Sequence, residues 1–124
     1  MLVFPNQISI YISIEPVDFR CGIDGLKQLC KQQFKQDPFS GAIFVFRNSR
    51  HYSIKILWYD GQGFALFLKR LSRGKFYWWP NTDEQLYVAL AQEAQVLLHN
   101  GNPATANFQI PWKFINQAAL DDGS

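Results

Sequence analysis

The sequence predicts an α+β fold in which a mostly antiparallel sheet carries two helices on one face. Two observations predict it: some segments repeat their apolar residues with a period of two, and others with spacings of three and four. With 124 residues, of which 48% are hydrophobic, the chain is large enough to form one core. We therefore expect a single domain over residues 1–116, in the order β-α-β-β-β-β-α, and a disordered tail over residues 117–124.

The first two predicted elements differ in their hydrophobic period. From Ile8 to Glu15, isoleucine occupies every second position, which predicts a strand that ends at Pro16. From Gly22 to Lys35, apolar residues recur every three or four positions, which predicts an amphipathic helix. The run Asp37–Gly41 contains proline and glycine, so the helix must end before it.

The middle of the chain reads as four short strands rich in β-branched and aromatic residues. Short polar or glycine-containing links separate them, which favours an antiparallel meander. The predicted strands are Ile43–Arg47, Ser53–Tyr59, Phe64–Leu71 and Lys75–Trp79.

A second helix is predicted after Pro80. Thr82 and Gln85 have the spacing of a capping box, in which each side chain satisfies an unpaired backbone donor at the start of a helix. Gly101 is predicted to end this helix. Its apolar stripe consists of Leu86, Leu90, Ala94, Leu97 and Leu98.

Positive charge is concentrated in the middle of the chain. Between Arg47 and Lys75, seven cations face one carboxylate, Asp60, and give that window a charge of +6. The other five cations face nine carboxylates, so the rest of the chain carries −4. Such an asymmetry indicates a face that binds a polyanion, although a charge cluster is often only a solvated face.

Several function classes find no support in the sequence. Cys21 and Cys30 are too far apart for a close-spaced metal or redox motif, and His51 and His99 belong to no recognisable ligand set. No stretch approaches the roughly 20 apolar residues that span a bilayer, and no nucleotide-binding fingerprint is present. We therefore expect no cofactor, no structural metal and no membrane contact, in a reduced cytoplasmic setting.

Three carboxylates allow a sharper alternative, which is a metal-dependent nuclease. Asp18, Asp24 and Asp60 would have to converge to hold divalent ions for strand cleavage. Nothing in their spacing requires this, because the first two lie near a helix start and Asp60 fits an Asp-Gly turn. The structural roles are the preferred interpretation.

The residues between positions 10 and 80 resemble a known family, the TnpB accessory proteins of insertion-sequence family sixty-six, which are second-reading-frame products. Three runs carry the resemblance. They are Pro16–Arg20 leading to Gly22–Leu26; Asp37–Gly41 leading to Phe44–Asn48; and Lys55–Leu57, Asp60-Gly61, Gly63-Phe64, Lys69–Leu71, Gly74, Phe76 and Trp79-Pro80.

The resemblance implies a small protein that is encoded beside a separate DDE-type transposase and is needed for the element to move. It provides no catalytic residues, so we expect a protein that is not an enzyme. After Pro80 the chain departs from the family pattern. The resemblance implies the transposase as a partner, and the basic middle of the chain adds the ends of the element's DNA, so we expect a cytoplasmic, nucleoid-associated protein.

The candidate nucleic-acid-binding residues combine cations for phosphates with aromatic rings for unpaired bases. They are Arg47, Arg50, Lys55, Lys69, Arg70, Arg73, Lys75, Trp58 and Trp78. We expect them on the open face of the sheet, while the alternative is that the aromatic residues are core and the cations cover its edges. A further alternative is a protein–protein adaptor, in which Trp58, Trp78 and Trp79 form a hot spot for the transposase.

Overall fold

The computed structural model describes residues 8–102. The predicted tail over residues 117–124, and the end of the predicted domain beyond residue 102, lie outside this range. The elements are β1 (Ile10–Ser13), α1 (Ile23–Gln32), a 3-10 turn (Pro38–Ser40), β2 (Ile43–Arg47), β3 (Ser53–Tyr59), β4 (Phe64–Arg70), β5 (Leu86–Ala89) and α2 (Ala91–Leu98). No helix within residues 8–102 is long and apolar enough to cross a membrane.

The five strands form one sheet in the order β4-β3-β2-β1-β5. Strands β1 and β2 are parallel, and the other three pairs are antiparallel. The predicted α+β class and mostly antiparallel sheet are therefore confirmed. The predicted bounds of β2 and β3 match the structure, and β4 ends one residue earlier than predicted.

The prediction that both helices pack on one face is wrong, because they cover opposite faces of the sheet. Ile43 and Val45 point to the face covered by α2, in a buried cluster with Leu97. Phe44 and Phe46 point to the other face, in a buried cluster with residues of α1. A strand that is apolar at successive positions is typical of a sheet buried on both faces. The run Ile43–Phe46 carries this signal.

The predicted fourth strand of the meander, Lys75–Trp79, is absent, and this segment crosses the end of the sheet instead. Hydrogen bonds between backbone and side-chain groups take the place of strand pairing in this segment. The backbone N–H of Tyr77 donates to Asn100 Oδ1 over 3.0 Å, and the Trp79 indole donates to the carbonyl oxygen of Ser13 over 2.8 Å. The aromatic residues of this segment favoured a strand, but burial of Phe76 and Trp79 in the core decides its path.

The predicted start of the second helix is also wrong, because Leu86–Ala89 forms the edge strand β5. It pairs antiparallel with β1, with Leu86 opposite Ser13. Thr82 Oγ1 accepts a hydrogen bond from the Glu84 backbone within a turn. Helix α2 begins at Ala91, where the Glu93 carboxylate accepts the backbone N–H of Leu90 over 2.8 Å. The true N-terminal contact thus lies further along the chain than the predicted one.

Candidate nucleic-acid interface

Four exposed cations lie at one end of the sheet, where β2 and β4 end and β3 begins. We call this set the basic end. One of its members is in the link between β2 and β3, one is the last residue of β4, and two follow β4. They are Arg50, Arg70, Arg73 and Lys75.

Two backbone hydrogen bonds hold the segments of the basic end together. Leu71 N–H donates to the carbonyl oxygen of Tyr52 over 2.9 Å, and Phe76 N–H donates to that of His51 over 2.7 Å. The first link is itself closed by Asn48, whose side-chain oxygen accepts the backbone N–H groups of Tyr52 and Ser53. Residues far apart in sequence are therefore presented on one structured surface.

Asn100 fixes the backbone between Lys75 and Tyr77 from the end of α2. Its Nδ2 donates to the carbonyl oxygen of Lys75 over 2.9 Å, and its Oδ1 accepts the backbone N–H of Tyr77 over 3.0 Å. Asn100 has a φ of 63°, a left-handed conformation that asparagine tolerates better than most residues. Tyr77, two positions after Lys75, is 82% exposed.

The positive charge at the basic end affects the pKa of a neighbouring histidine, His51. Burial lowers the pKa of His51, and repulsion from the charges of Arg47 and Lys75 lowers it further. Within residues 8–102, the two ion pairs are Arg20–Asp18 and Lys27–Asp24, so no member of the basic end is in an ion pair there. The basic end is thus a site of uncompensated positive charge.

Negative charge lies at the same end of the sheet but toward its other edge. Glu15 follows β1, and Asp83 and Glu84 precede β5, all three exposed. The backbone bond from Ile14 N–H to the Gln85 carbonyl oxygen, at 3.0 Å, joins these two segments. Charge is therefore separated along this end of the sheet, with positive charge near β3 and β4 and negative charge near β1 and β5.

Arg70 stays accessible although it has an aromatic neighbour. Its guanidinium carbon lies 5.1 Å from the centre of the Tyr52 ring. Such a contact restrains the side chain and leaves its N–H donors available for an anion.

Arg47 is half-buried, and its side chain makes contacts within the domain. Its Nη2 donates to the carbonyl oxygen of Ile14 over 3.3 Å, and its guanidinium carbon lies 4.9 Å from the Trp79 ring centre. Burial lowers its pKa, and its Nε is buried without a hydrogen-bond partner among the described residues. Because of these contacts, Arg47 contributes positive electrostatic potential to this end of the sheet, but its guanidinium is not available to bind a ligand directly.

Lys55 and Lys69 are likewise half-buried and bound to backbone carbonyl groups. Lys55 Nζ donates to Phe19 over 2.9 Å and to Cys21 over 3.1 Å, so it joins β3 to the segment before α1. Lys69 Nζ donates to the carbonyl oxygen of Leu98 over 2.6 Å, at the end of α2. The structure therefore divides the seven predicted cations into four that are exposed and three that are half-buried and engaged internally.

The predicted tryptophans do not come together with these cations. Trp58 is 37% exposed but lies toward the other end of the sheet, opposite Ala65. Trp78 is partly buried against the cluster on the α2 face, and Trp79 belongs to that cluster. The open sheet face that we expected does not exist, because α1 and α2 cover both sides. Tyr77 was part of the same aromatic run, but its exposure could not be read from the sequence.

The three carboxylates of the nuclease alternative are each engaged locally. Asp18 pairs with Arg20 at 2.7 Å, and this contact holds the Asp18 pKa at about 2. Asp24 lies 3.7 Å from Lys27, and Asp60 accepts backbone N–H groups within its own turn. Within residues 8–102, no group of three metal-ligating side chains comes together.

A cleft of about 460 Å³ lies between α1 and the segment after β1. Its charged lining residues are Glu15 and Asp18, and Gln28 is among several glutamines that add neutral polar groups. A cleft lined by these carboxylates disfavours a phosphate.

Comparison with known proteins identifies relatives of the chain. A family model described as "IS66 Orf2 like protein" matches residues 8–107. Two similar proteins come from Sinorhizobium fredii (strain NBRC 101917 / NGR234). The chain is 38% identical to the uncharacterized protein y4hO over 78 residues, which are 63% of this chain and 68% of that protein. It is 38% identical to the uncharacterized protein y4jC over 89 residues, which are 71% and 76%. No solved structure matches the chain.

Proposed function

The chain belongs to the family of IS66 Orf2-like proteins, which are accessory proteins of insertion sequences, and we propose that it binds the element's DNA through the basic end. In this proposal the protein holds DNA ends for the separate transposase, and the transposase carries out the chemistry. Binding to DNA would also place the protein on the nucleoid.

The observation that carries the proposal is the division among the predicted cations. Lys55 and Lys69 donate hydrogen bonds to backbone carbonyl oxygens inside the domain, whereas Arg50 and Arg73 lie exposed at the tips of two links. Cations that remain outside ion pairs and stand on a fixed backbone are suited to phosphates, because little backbone conformational entropy is lost on binding.

The charge separation along the end of the sheet gives the DNA a preferred position. Phosphates are attracted toward β3 and β4 and repelled from Glu15, Asp83 and Glu84 near β1 and β5. Such contacts are made to the sugar-phosphate backbone, so they position DNA without reading its sequence.

Tyr77 adds a feature that suits unpaired bases. Its exposed side chain follows Lys75 by two positions, and exposed aromatic rings in basic surroundings stack on bases of single strands. We therefore expect the protein to prefer DNA with a single-stranded extension over a blunt duplex of the same length. The tryptophan hot spot of an adaptor receives less support, since Trp79 is buried and Trp78 partly so.

The test is fluorescence anisotropy of the full chain with a labelled blunt duplex and a duplex carrying a single-stranded extension, at low salt. We expect binding to both, with tighter binding to the extended duplex. Tyr77→Ala should remove that preference and leave duplex binding intact. Two results together would replace the proposed function with the adaptor function. Neither DNA would bind at low salt, and the purified transposase would bind the protein after nuclease had removed any DNA from both preparations.

A further inference from the structure

Strand β4 has a free edge in the described part of the chain. It is seven residues long and pairs only with β3 on its inner side. Phe67 and Leu68 are adjacent in the strand and therefore lie on opposite faces of the sheet, where they are 46% and 56% exposed. A free edge with exposed apolar side chains on both faces is a template for another strand.

Natural edge strands usually carry features that prevent such pairing. They are short, or they contain proline, a bulge or several charged side chains. Strand β5, at the other edge, has only four residues. In β4, by contrast, the run Phe64–Leu68 is wholly apolar, and Lys69 is bound to the end of α2. An edge that retains so few of these protections is suited to a specific partner strand.

We propose that this partner is the β4 strand of a second copy of the chain, paired antiparallel about a two-fold axis at Phe67. Two sheets would then join into one of ten strands. In this register Leu68 lies opposite Leu66 of the other copy, and Arg70 lies opposite Phe64. The cation at the end of each strand thus meets an aromatic ring rather than another cation.

Charge complementarity supports a second copy in this orientation. Asp60 precedes β4 in its turn, and Arg73 follows β4. Antiparallel pairing brings the turn of Asp60 next to the segment of Arg73 in the other copy, at both ends of the joined strands. Parallel pairing would instead place Arg70 beside Arg70 and Arg73 beside Arg73. Antiparallel pairing therefore brings opposite charges together, whereas parallel pairing would bring like charges together.

The dimer would present the two basic ends at opposite ends of the ten-stranded sheet. It could therefore hold two DNA segments, and where both segments belong to one DNA molecule the second contact becomes intramolecular and raises the overall affinity. The pairing needs no DNA. Arg70 and Arg73 of the basic end lie at the two ends of the joined strands, whereas the apolar centre at Phe67 and Leu68 includes no member of the basic end. A failure of DNA binding would consequently leave this inference standing, and the reverse also holds.

The test is sedimentation velocity of the full chain without DNA, over about a hundredfold range of concentration. We expect a monomer–dimer equilibrium that Leu68→Lys shifts at least tenfold toward monomer. Val88→Lys is the matched control, because Val88 is a 68% exposed apolar residue on the other edge strand. Its dimer should be as stable as that of the unmodified chain, and circular dichroism should show that both variants fold.

Arg73→Glu provides a second variant, in an exposed link where folding is not at stake. It should weaken the dimer, because the introduced carboxylate would face Asp60 of the other copy, and the weakening should diminish at high salt. The proposal is overturned if the unmodified chain is monomeric throughout, or if Val88→Lys abolishes the dimer while Leu68→Lys preserves it. It is also overturned if Leu68→Lys and Arg73→Glu both leave the dimer unchanged.

Discussion

The ammonium group of Lys69 donates a 2.6 Å hydrogen bond to the carbonyl oxygen of Leu98, so a cation of the edge strand β4 binds the C-terminal end of helix α2. Carbonyl groups in the last turn of a helix lack backbone partners and carry partial negative charge. Burial lowers the pKa of Lys69. Burial also lowers the pKa of His99, and repulsion from the charge of Lys69 lowers it further. This contact gives Lys69 a structural role at the helix end.

Lys69→Met should destabilise the fold without changing DNA binding. Loss of the contact to Leu98 should lower the free energy of unfolding by about 1–2 kcal/mol, as expected for a charged hydrogen bond at a helix end. Urea denaturation measures this change. Arg70→Gln is the matched variant, and we expect it to weaken DNA binding with little effect on stability. A Lys69→Met variant that kept its stability but lost DNA affinity would contradict this assignment.

Asn100→Gly should weaken DNA binding although Asn100 itself contacts no DNA in our account. Glycine accepts the φ of 63° but removes the two hydrogen bonds to Lys75 and Tyr77, so their segment loses its fixed position. We expect anisotropy to show a several-fold lower affinity, with a larger loss for DNA that has a single-stranded extension. Equal affinity for the variant and the unmodified chain would show that the segment needs no such support.

Trp79→Phe should lower stability and spare DNA binding. The indole N–H donates to the Ser13 carbonyl oxygen in a buried position, and phenylalanine cannot donate. The ring also packs against the guanidinium of Arg47. We expect a loss of about 1–3 kcal/mol in thermal or urea denaturation, from the unpaired carbonyl group and the smaller ring. A stable variant with reduced DNA affinity would instead place Trp79 in the interface.

His51 predicts how DNA binding depends on pH. In the free protein its pKa lies below the ordinary value of 6.5, because of burial and the charges of Arg47 and Lys75. Bound phosphates would offset those charges and raise the pKa, so binding takes up a proton. DNA affinity should therefore increase as the pH falls through the His51 pKa of the complex, and NMR should show that this pKa is higher in the complex than in the free protein.

The same shift acts on stability with the opposite sign. The unfolded chain binds the proton more readily than the folded one, so the contribution of neutral His51 is complete above pH 6.5. That contribution decreases as the pH falls below this value. His51→Asn is the control, since asparagine tolerates the φ of 66° and does not titrate. An equally steep pH dependence of DNA affinity in His51→Asn would exclude His51 as its source.

The strands that the sequence predicted correctly are those with the clearest local signals. β2 and β3 are bounded by polar turns, and their β-branched and aromatic residues leave no helical period. Lys75–Trp79 carries a similar composition but no strand. The difference lies in tertiary contacts that sequence patterns do not encode, such as the bond from Trp79 to Ser13 across 66 positions.

The predicted site shows a similar limit. Charge density located the basic window between Arg47 and Lys75, and the family resemblance agreed with the match over residues 8–107. Sequence could not show which cations are engaged internally. Lys55 and Lys69 bind carbonyl groups 36 and 29 positions away, and such pairings exist only in the folded chain.

The salt dependence of DNA binding tests the basic end most directly. Arg50→Gln/Arg73→Gln removes two exposed cations of the basic end, and Lys31→Gln/Lys35→Asn removes two exposed cations at the end of α1. The logarithm of the binding constant for duplex DNA should fall less steeply with the logarithm of salt concentration in the first variant. The expected change in slope is about 0.9 for each lost phosphate contact. The second variant should match the unmodified chain, and the reverse pattern would contradict the account.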